Sequence, residues 1–287
     1  MTSGEKRAPA SVGNGRGSFR TGGWRERVTR TDLRVVAALG ARSVKQTFRR
    51  PQLLAPIVVF PSILLAIQTA GAGQAVNLPE FPPVNSFLDF MLAGAMIQAT
   101  LLAGNSGGIA LAVDIEMGFT DRLLAAPISR FGMVLGRLAG TGVLSLLVGI
   151  WFIVVGLIFG AQINDGVPGV IVMLLLVTLS GLAFGGIGAA VALRTGRASV
   201  VQGLFPLVFV ILFLSSAFFP QDLLTGPAAT IAQYNPLSFI VEGIRDPVIS
   251  SLTWEVFGKA IASLALVGAI GIGLSALALR RRLRTGG

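Results

Sequence analysis

Six long blocks of apolar residues, separated by short polar segments, occupy most of the chain after residue 50. A helix that crosses about 30 Å of hydrocarbon needs roughly 20 mainly apolar residues, and it pairs every backbone amide internally. Each block is long enough, so the pattern predicts an all-α integral membrane protein with six transmembrane helices. The predicted spans are residues 51–70, 87–113, 131–160, 167–193, 200–219 and 256–279.

The chain before the first span contains a polar tail and a periodic segment. Residues 33–49 repeat apolar and small residues at three and four positions, with Arg42 and Lys45 among the basic residues on the other side. This pattern predicts an amphipathic helix at the membrane interface, and a solvated basic linker is the alternative. Residues 1–31, rich in Gly, Ser and Arg, predict a disordered cytoplasmic tail. The predicted domains are residues 1–31, 32–282 for the membrane domain and 283–287 for the tail end.

The segment between the fifth and sixth spans is too apolar for an ordinary loop and too interrupted to cross a membrane. Prolines divide residues 220–249 into short pieces. Asp222 and Ser238 are good helix-starting residues, and Pro236 restricts Asn235 to an extended conformation. We expect two short re-entrant helices that enter the outer leaflet, since irregular backbone at that depth must be buried in protein. A partly helical loop on the surface is the alternative.

The distribution of basic residues predicts the orientation in the membrane. The chain is 53% hydrophobic and only 13% charged, unlike a soluble domain. All but two of its 23 Lys and Arg residues fall on one side of the predicted spans, and the two exceptions are Arg245 and Lys259. Because short loops rich in Lys and Arg remain in the cytoplasm, we expect a multi-pass protein of the cell membrane with both termini cytoplasmic.

The net charge of +10 and the absent residue types narrow the range of functions. The basic residues border apolar spans, so contact with anionic membrane lipids explains them better than nucleic-acid binding does. The chain has no Cys and no His, which excludes disulfides and thiolate catalysis and removes the commonest metal ligand and general base. The spans also contain few acids, which argues against an ion-driven carrier or a membrane-embedded enzyme. We therefore predict no catalytic or metal-binding residues in this chain.

An export signal is an alternative interpretation of the first apolar block. Arg49 and Arg50 before the apolar run resemble a twin-arginine signal, with a possible cleavage site at residues 70–72. About fifty residues precede the run, which is long for such a leader, and five more apolar blocks follow it. We therefore interpret the block as a membrane helix that Pro56 and Pro61 bend or loosen.

A short charged segment, residues 114–130, separates the second and third spans. Leu123 and Leu124 provide an apolar face and Phe119 an aromatic anchor of the kind that interfaces favour, and Pro127 ends the helix. The charged rim consists of Asp114, Glu116, Asp121 and Arg122. This amphipathic segment predicts a docking site for a partner protein, and an ordinary solvated loop is the alternative.

Two motifs in this order carry a family resemblance. The first, in segment 114–130, contains Glu116, Gly118, Arg122, Leu123, Pro127, Ile128, Ser129 and Arg130. The second, before the sixth span, contains Asn235, Pro236, Leu237, Glu242 and Arg245, and we call it the outer motif. With six spans and an amphipathic N-terminal helix, the chain resembles the permease subunits of type 2 ABC exporters, among them the daunorubicin and doxorubicin efflux permeases. The likeness covers nearly the whole chain from Asp32 onward.

The resemblance implies a set of partners. Segment 114–130 would be a coupling helix that inserts into a groove of a separate ATP-binding subunit, present in two copies. A second permease, either an identical chain or a paralogue, would complete the path. ATP and Mg would bind to the partner subunit, with no cofactor on this chain. The residues agree, because the pair Gly258-Lys259 lacks the surrounding pattern of a phosphate-binding loop.

The resemblance also implies a function. It indicates ATP-driven export of a lipophilic or amphiphilic compound, which is a drug, an antibiotic or a lipid. Export of a glycolipid or polysaccharide is the alternative within the family. The predicted outer loops are short and contain nothing that resembles a carbohydrate-binding domain, so drugs or lipids are favoured.

Overall fold

Every regular element that the structure describes is helical. The computed structural model describes residues 37–38, 40–42, 44–45, 51–118 and 130–284. The helices, numbered α1 to α9, are Pro51–Ala72, Phe87–Glu116, Arg130–Ile158, Gly166–Thr195, Ala198–Gln202, Phe205–Phe213, Gly226–Tyr234, Pro236–Ile249 and Trp254–Arg284. Short 3-10 helices follow α1 and precede α7. The predicted all-α class is confirmed for this part of the chain, and the predicted tail of residues 1–31 lies outside it.

Five helices in the described part of the chain are long and apolar enough to cross a membrane. Their spanning segments are Ala55–Asn77, Phe87–Glu116, Leu138–Ile158, Gly166–Thr195 and Trp254–Arg281. They coincide with five of the six predicted spans. The agreement has a simple cause, since an uninterrupted run of about 20 apolar residues has few other stable arrangements. The chain is a multi-pass membrane protein.

The fifth predicted span, residues 200–219, is not one continuous helix. It is divided into α5, with 5 residues, and α6, with 9 residues, and Gly203 lies in the break. Pro206 explains the interruption, because it has no N–H and its ring clashes with the carbonyl of Gln202 four residues earlier. We call residues 198–217 the broken segment. Neither helix is long enough to span alone, so the count of six spans stays a prediction.

Helix α2 lies at the centre of the fold. Its membrane-spanning apolar segment is completely buried. The helix packs against α1, α3, α4, α5 and α8. Glycines allow its close approach to α4: a Cβ atom added at Gly108 would lie 2.8 Å from the carbonyl carbon of Gly188, and one added at Gly104 would lie 3.1 Å from the nitrogen of Gly185. Lipid provides no hydrophobic drive for helix association, so close backbone packing of this kind holds the two helices together.

Replacement of Gly108 by Val is expected to push α2 away from α4. The new side chain would overlap the backbone of Gly188, and overpacking of this kind costs about 1–3 kcal/mol. Thermal unfolding of the purified protein in detergent measures the effect. The control is Gly273→Val, because no atom lies within 4 Å of a Cβ added at Gly273. Equal unfolding midpoints for the two variants would contradict the close contact.

Residues 220–249 contain two short helices, as predicted, but these helices begin at residues other than the predicted ones. Helix α7 begins at Gly226 and α8 at Pro236, whereas Asp222 lies in a 3-10 turn and Ser238 lies inside α8. Asn235 is extended as expected, with φ −71° and ψ 120°, and it caps α8 in place of Ser238. Proline is preorganised for the first position of a helix, which favours this start. The location of these helices in the outer leaflet stays a prediction.

The described residues of the predicted interface helix are helical, namely 37–38, 40–42 and 44–45. This segment lies beside α3, since a Cβ atom added at Gly40 would be 3.4 Å from the Cβ of Ala139. It also approaches the end of α2, where Nη2 of Arg42 lies 3.9 Å from Oδ1 of Asp114. Its position at the membrane interface stays a prediction.

Candidate functional site

The first cluster of predicted site residues lies at the end of α2. Asp114 is buried and pairs with Arg42, whereas Glu116 is exposed. Gly118 follows the helix with φ +66°, in the left-handed region that favours glycine. The end of α2 therefore leads directly into the rest of segment 114–130.

Most of the predicted coupling helix lies outside the described residues. The site residues in that part are Phe119, Asp121, Arg122, Leu123, Leu124 and Pro127. Helix α3 begins at Arg130, whose side chain is also outside the described part. The docking role of segment 114–130 therefore stays a prediction, and its described members are those on α2 and in the turn that follows.

Glu116 bonds to the start of the broken segment. Its Oε1 accepts a hydrogen bond from the backbone N–H of Ala198, with a distance of 2.8 Å. Ala198 is the first residue of α5, and Arg197 at the N-cap position makes no side-chain capping bond. A carboxylate at a helix N-terminus pairs with a free backbone N–H and interacts favourably with the helix dipole. Glu116 therefore caps α5 from a different helix, 82 residues earlier in the chain.

The second cluster is the outer motif, and Asn235 is its first member. Its Nδ2 donates to the carbonyl oxygens of Ile211 and Leu214, at 3.0 and 2.9 Å. Its Oδ1 accepts from the backbone N–H of Leu237 at 3.0 Å, which caps α8. The side-chain amide of Asn235 therefore joins the end of α6 to the start of α8.

Arg245 is buried, with 2% of its surface exposed, although it is a charged residue. Its Nη2 donates to the carbonyl oxygens of Ser216 and Ala217, at 2.9 and 3.1 Å. Its Nε donates to the carbonyl oxygen of Phe90 at 3.1 Å, and the guanidinium carbon lies 3.8 Å from the centre of the Phe90 ring. Nη1 bonds to Oε1 of Glu242 at 2.7 Å. The fixed fork of guanidinium donors suits this set of acceptors.

The end of helix α6 at Phe213 explains what these donors bond to. A helix end leaves carbonyl groups without partners, and buried polar groups without partners cost free energy in a membrane protein. The four carbonyls that Asn235 and Arg245 bond belong to residues 211, 214, 216 and 217, at the end of the broken segment. The outer motif therefore satisfies the backbone at this end.

Sequence reasoning missed two polar residues near the outer motif. Asp89 forms a capping box with Ser86 and accepts from the N–H of Gln162 at 3.0 Å. The spacing Ser86-x-x-Asp89 before an apolar run is a capping signal that could have identified it. Ser238 accepts from the N–H of Ser216 at 3.2 Å, and no sequence pattern indicates that bond.

The two motifs lie at opposite ends of α2 and bond to opposite ends of the broken segment. Glu116 is the last residue of α2, and Phe90, which contacts Arg245, lies in its first turn. The part of α2 between Phe90 and Glu116 is about 40 Å long. Glu116 therefore bonds to one end of residues 198–217, and the outer motif bonds to the other end. Helix α2 extends between these two sets of contacts.

These features define the chain as a multi-pass helical membrane protein in which two polar clusters bond to opposite ends of an interrupted apolar segment. Residues 34–249 match the ABC-2 type transporter family, and the chain belongs to this family. The family membership confirms the resemblance on which the sequence-based interpretation rests.

Several relatives carry functional names. The protein named as the transport permease ycf38 of Pyropia yezoensis is 26% identical over 225 residues, which cover 78% of this chain and 76% of the relative. The daunorubicin resistance ABC transporter permease protein DrrB1 of Streptomyces coeruleorubidus is 26% identical over 197 residues, 68% of each chain. A Mycobacterium tuberculosis protein named as a doxorubicin resistance permease, DrrC, is 21% identical over 165 residues, 53% of this chain and 60% of that protein.

Proposed function

We propose that this chain is the membrane subunit of an ABC exporter and moves a lipophilic or amphiphilic compound out of the cytoplasm or the inner leaflet. The compound is a drug, an antibiotic or a lipid, and a separate subunit hydrolyses the ATP. Membership of the ABC-2 family supports the class of protein. The names of the relatives, which include daunorubicin and doxorubicin resistance permeases, support the class of substrate.

The bond between Glu116 and Ala198 is the observation that carries this proposal. Glu116 belongs to segment 114–130, the proposed docking site of the ATP-binding subunit. Its 2.8 Å hydrogen bond connects that segment to the N-terminus of α5. A displacement imposed on segment 114–130 would therefore reach the broken segment directly. An interrupted helix is suited to respond, because its two short pieces can reorient without breaking a continuous hydrogen-bond ladder.

A small apolar cavity beside the broken segment supports a lipophilic cargo. It has a volume of about 160 Å³ and lies between α2, α4 and α6, with Leu101, Phe184 and Leu207 among its lining residues. Among the described residues of the lining, Asn105 is the one with a polar side chain. Ligand sites of this kind are mainly apolar, with few polar groups to fix orientation. The cavity fits an apolar part of a substrate better than a sugar.

The proposed complex contains two ATP-binding subunits and a second permease, with both termini of each permease in the cytoplasm. The one-sided distribution of Lys and Arg supports this orientation. ATP and Mg bind to the partner subunit in this arrangement. Native mass spectrometry of the purified complex measures the copy numbers, and it distinguishes a homodimer of permeases from a pair of paralogues.

Reversal of both Glu116 and Arg122 is expected to abolish assembly with the ATP-binding subunit. Like charges placed opposite each other across an interface cost several kcal/mol, which corresponds to a loss of at least a hundredfold in affinity. Copurification of the two subunits and ATP-dependent transport in proteoliposomes measure the effect. Reversal of the exposed Glu80, in the connection between α1 and α2, is the control. Unchanged assembly and transport in the double variant would show that segment 114–130 is not the docking site.

A further inference from the structure

A second and larger cleft opens where α2, α4 and α9 end. Its volume is about 690 Å³, within the range of ligand-binding sites. It lies at the boundary of the apolar spans, because the spanning segments of α4 and α9 end at Thr195 and Arg281, and both residues line the cleft. The cleft adjoins the cavity beside α6, because Val191 lines both.

The lining of the cleft has two chemical parts. Leu274 and Leu277 of α9 and Val191 of α4 form an apolar wall, and Arg194 and Arg281 provide two positive charges near the helix ends. Both arginines are exposed. Glu116 is the one acid in the lining, and its carboxylate accepts the N–H of Ala198. The described lining therefore carries one net positive charge above an apolar surface.

We propose that this cleft binds an anionic phospholipid of the leaflet on the side of segment 114–130. The phosphate lies between Arg194 and Arg281, and an acyl chain lies along Leu274 and Leu277. Basic pockets between transmembrane helices bind anionic headgroups, and each basic residue near the surface adds to the attraction. A soluble anion would leave the apolar wall uncovered, whereas a phospholipid matches both parts of the lining.

Lipid retention by the purified complex of the permease and its ATP-binding subunit tests this site. The complex is equilibrated with phosphatidylglycerol or phosphatidylcholine of the same acyl chains, and native mass spectrometry counts the retained lipids. We expect preferential retention of phosphatidylglycerol. In the double variant Arg194→Gln/Arg281→Gln, affinity falls about fivefold for each arginine, or roughly 25-fold in total. Arg194→Lys/Arg281→Lys keeps both charges and retains most of the preference.

A matched control separates the cleft from general surface charge. The variant Arg197→Gln/Arg280→Gln removes the same charge from neighbouring positions that do not line the cleft, and we expect it to keep the lipid preference. An equal loss in the two glutamine variants, or equal retention of the two lipids by the unmodified complex, would overturn the proposal. Lipid that is retained only when the ATP-binding subunit is absent would also overturn it, since the subunit would then cover the cleft. The complex used here rests on the proposed function, but retention is measured without transport, so its outcome is independent of whether the complex exports a compound.

Discussion

Substitution of Arg245 by Ala is expected to lower the thermal unfolding midpoint by at least about 6 °C. The variant leaves the carbonyls of Phe90, Ser216 and Ala217 without their donors. Each buried carbonyl left without a donor costs about 1–3 kcal/mol, so the three together cost at least about 3 kcal/mol. A loss of 1 kcal/mol corresponds to roughly 2–4 °C in a protein of this size. Unfolding in detergent, followed by intrinsic fluorescence, measures the midpoint.

Two comparisons identify which interaction of Arg245 determines the unfolding midpoint. The pair Lys259–Glu255 has the same 2.7 Å separation as Arg245–Glu242, but its side chains are 56% and 74% exposed. Lys259→Ala is therefore expected to leave the midpoint unchanged. The double variant Arg245→Met/Glu242→Gln removes both charges yet still leaves the carbonyls unpaired, and it should remain as unstable as Arg245→Ala. Recovery of the original midpoint in the double variant would show that Arg245→Ala is destabilised by the unpaired charge of Glu242, and not by the lost backbone contacts.

Substitution of Glu116 by Ala is expected to reduce ATP-dependent transport about tenfold while the ATP-binding subunit still copurifies. The variant removes the cap from α5. Loss of a capping interaction costs about 0.5–2 kcal/mol, and 1.4 kcal/mol corresponds to a factor of ten. Removal of one exposed rim charge, unlike the double reversal, weakens docking only slightly. Transport and ATP hydrolysis are measured in the same proteoliposomes, and their ratio should fall.

Glu116→Gln serves as the matched variant, because its amide oxygen can still accept the N–H of Ala198. It should keep more of the transport than Glu116→Ala does. If both variants lost transport equally, the negative charge would be the important property and the hydrogen bond would not. If Glu116→Ala transported normally, the connection between segment 114–130 and α5 would have no role in coupling.

The spans were predictable from sequence wherever the apolar run is uninterrupted. Five runs correspond to five long helices, since a long apolar segment must pair its backbone groups internally in lipid. The fifth run is divided into two short helices, because Gly203 and Pro206 interrupt it despite its length and hydropathy. Both residues were visible in the sequence, and proline inside an apolar run is a signal for a break.

The site residues were predictable as motifs, but their contacts were not. Asn235 and Arg245 bond to backbone carbonyls of the broken segment, and a carbonyl is present at every residue, so no side-chain pattern marks these partners. The bond from Glu116 ends at the N–H of Ala198 for the same reason. The helix start at Ser238 was wrong because Asn235 followed by Pro236 is a stronger start for α8. The start at Asp222 was wrong because Pro227 favours a start of α7 at Gly226. The coupling role of residues 119–129 stays a prediction.

The most direct test of coupling through Glu116 is a distance measurement between spin labels on α5 and on the far end of α9. The chain contains no Cys, so a variant with one cysteine at each of the exposed positions Val200 and Trp254 can be labelled without background from other cysteines of the permease. The labelled permease is diluted with unlabelled permease. The distance is measured by double electron–electron resonance for the complex without nucleotide and with bound ATP. We predict that ATP shifts the distance between the labels, and that the shift disappears in Glu116→Ala and persists in Glu116→Gln. An ATP-induced shift of the same size in Glu116→Ala would contradict coupling through Glu116.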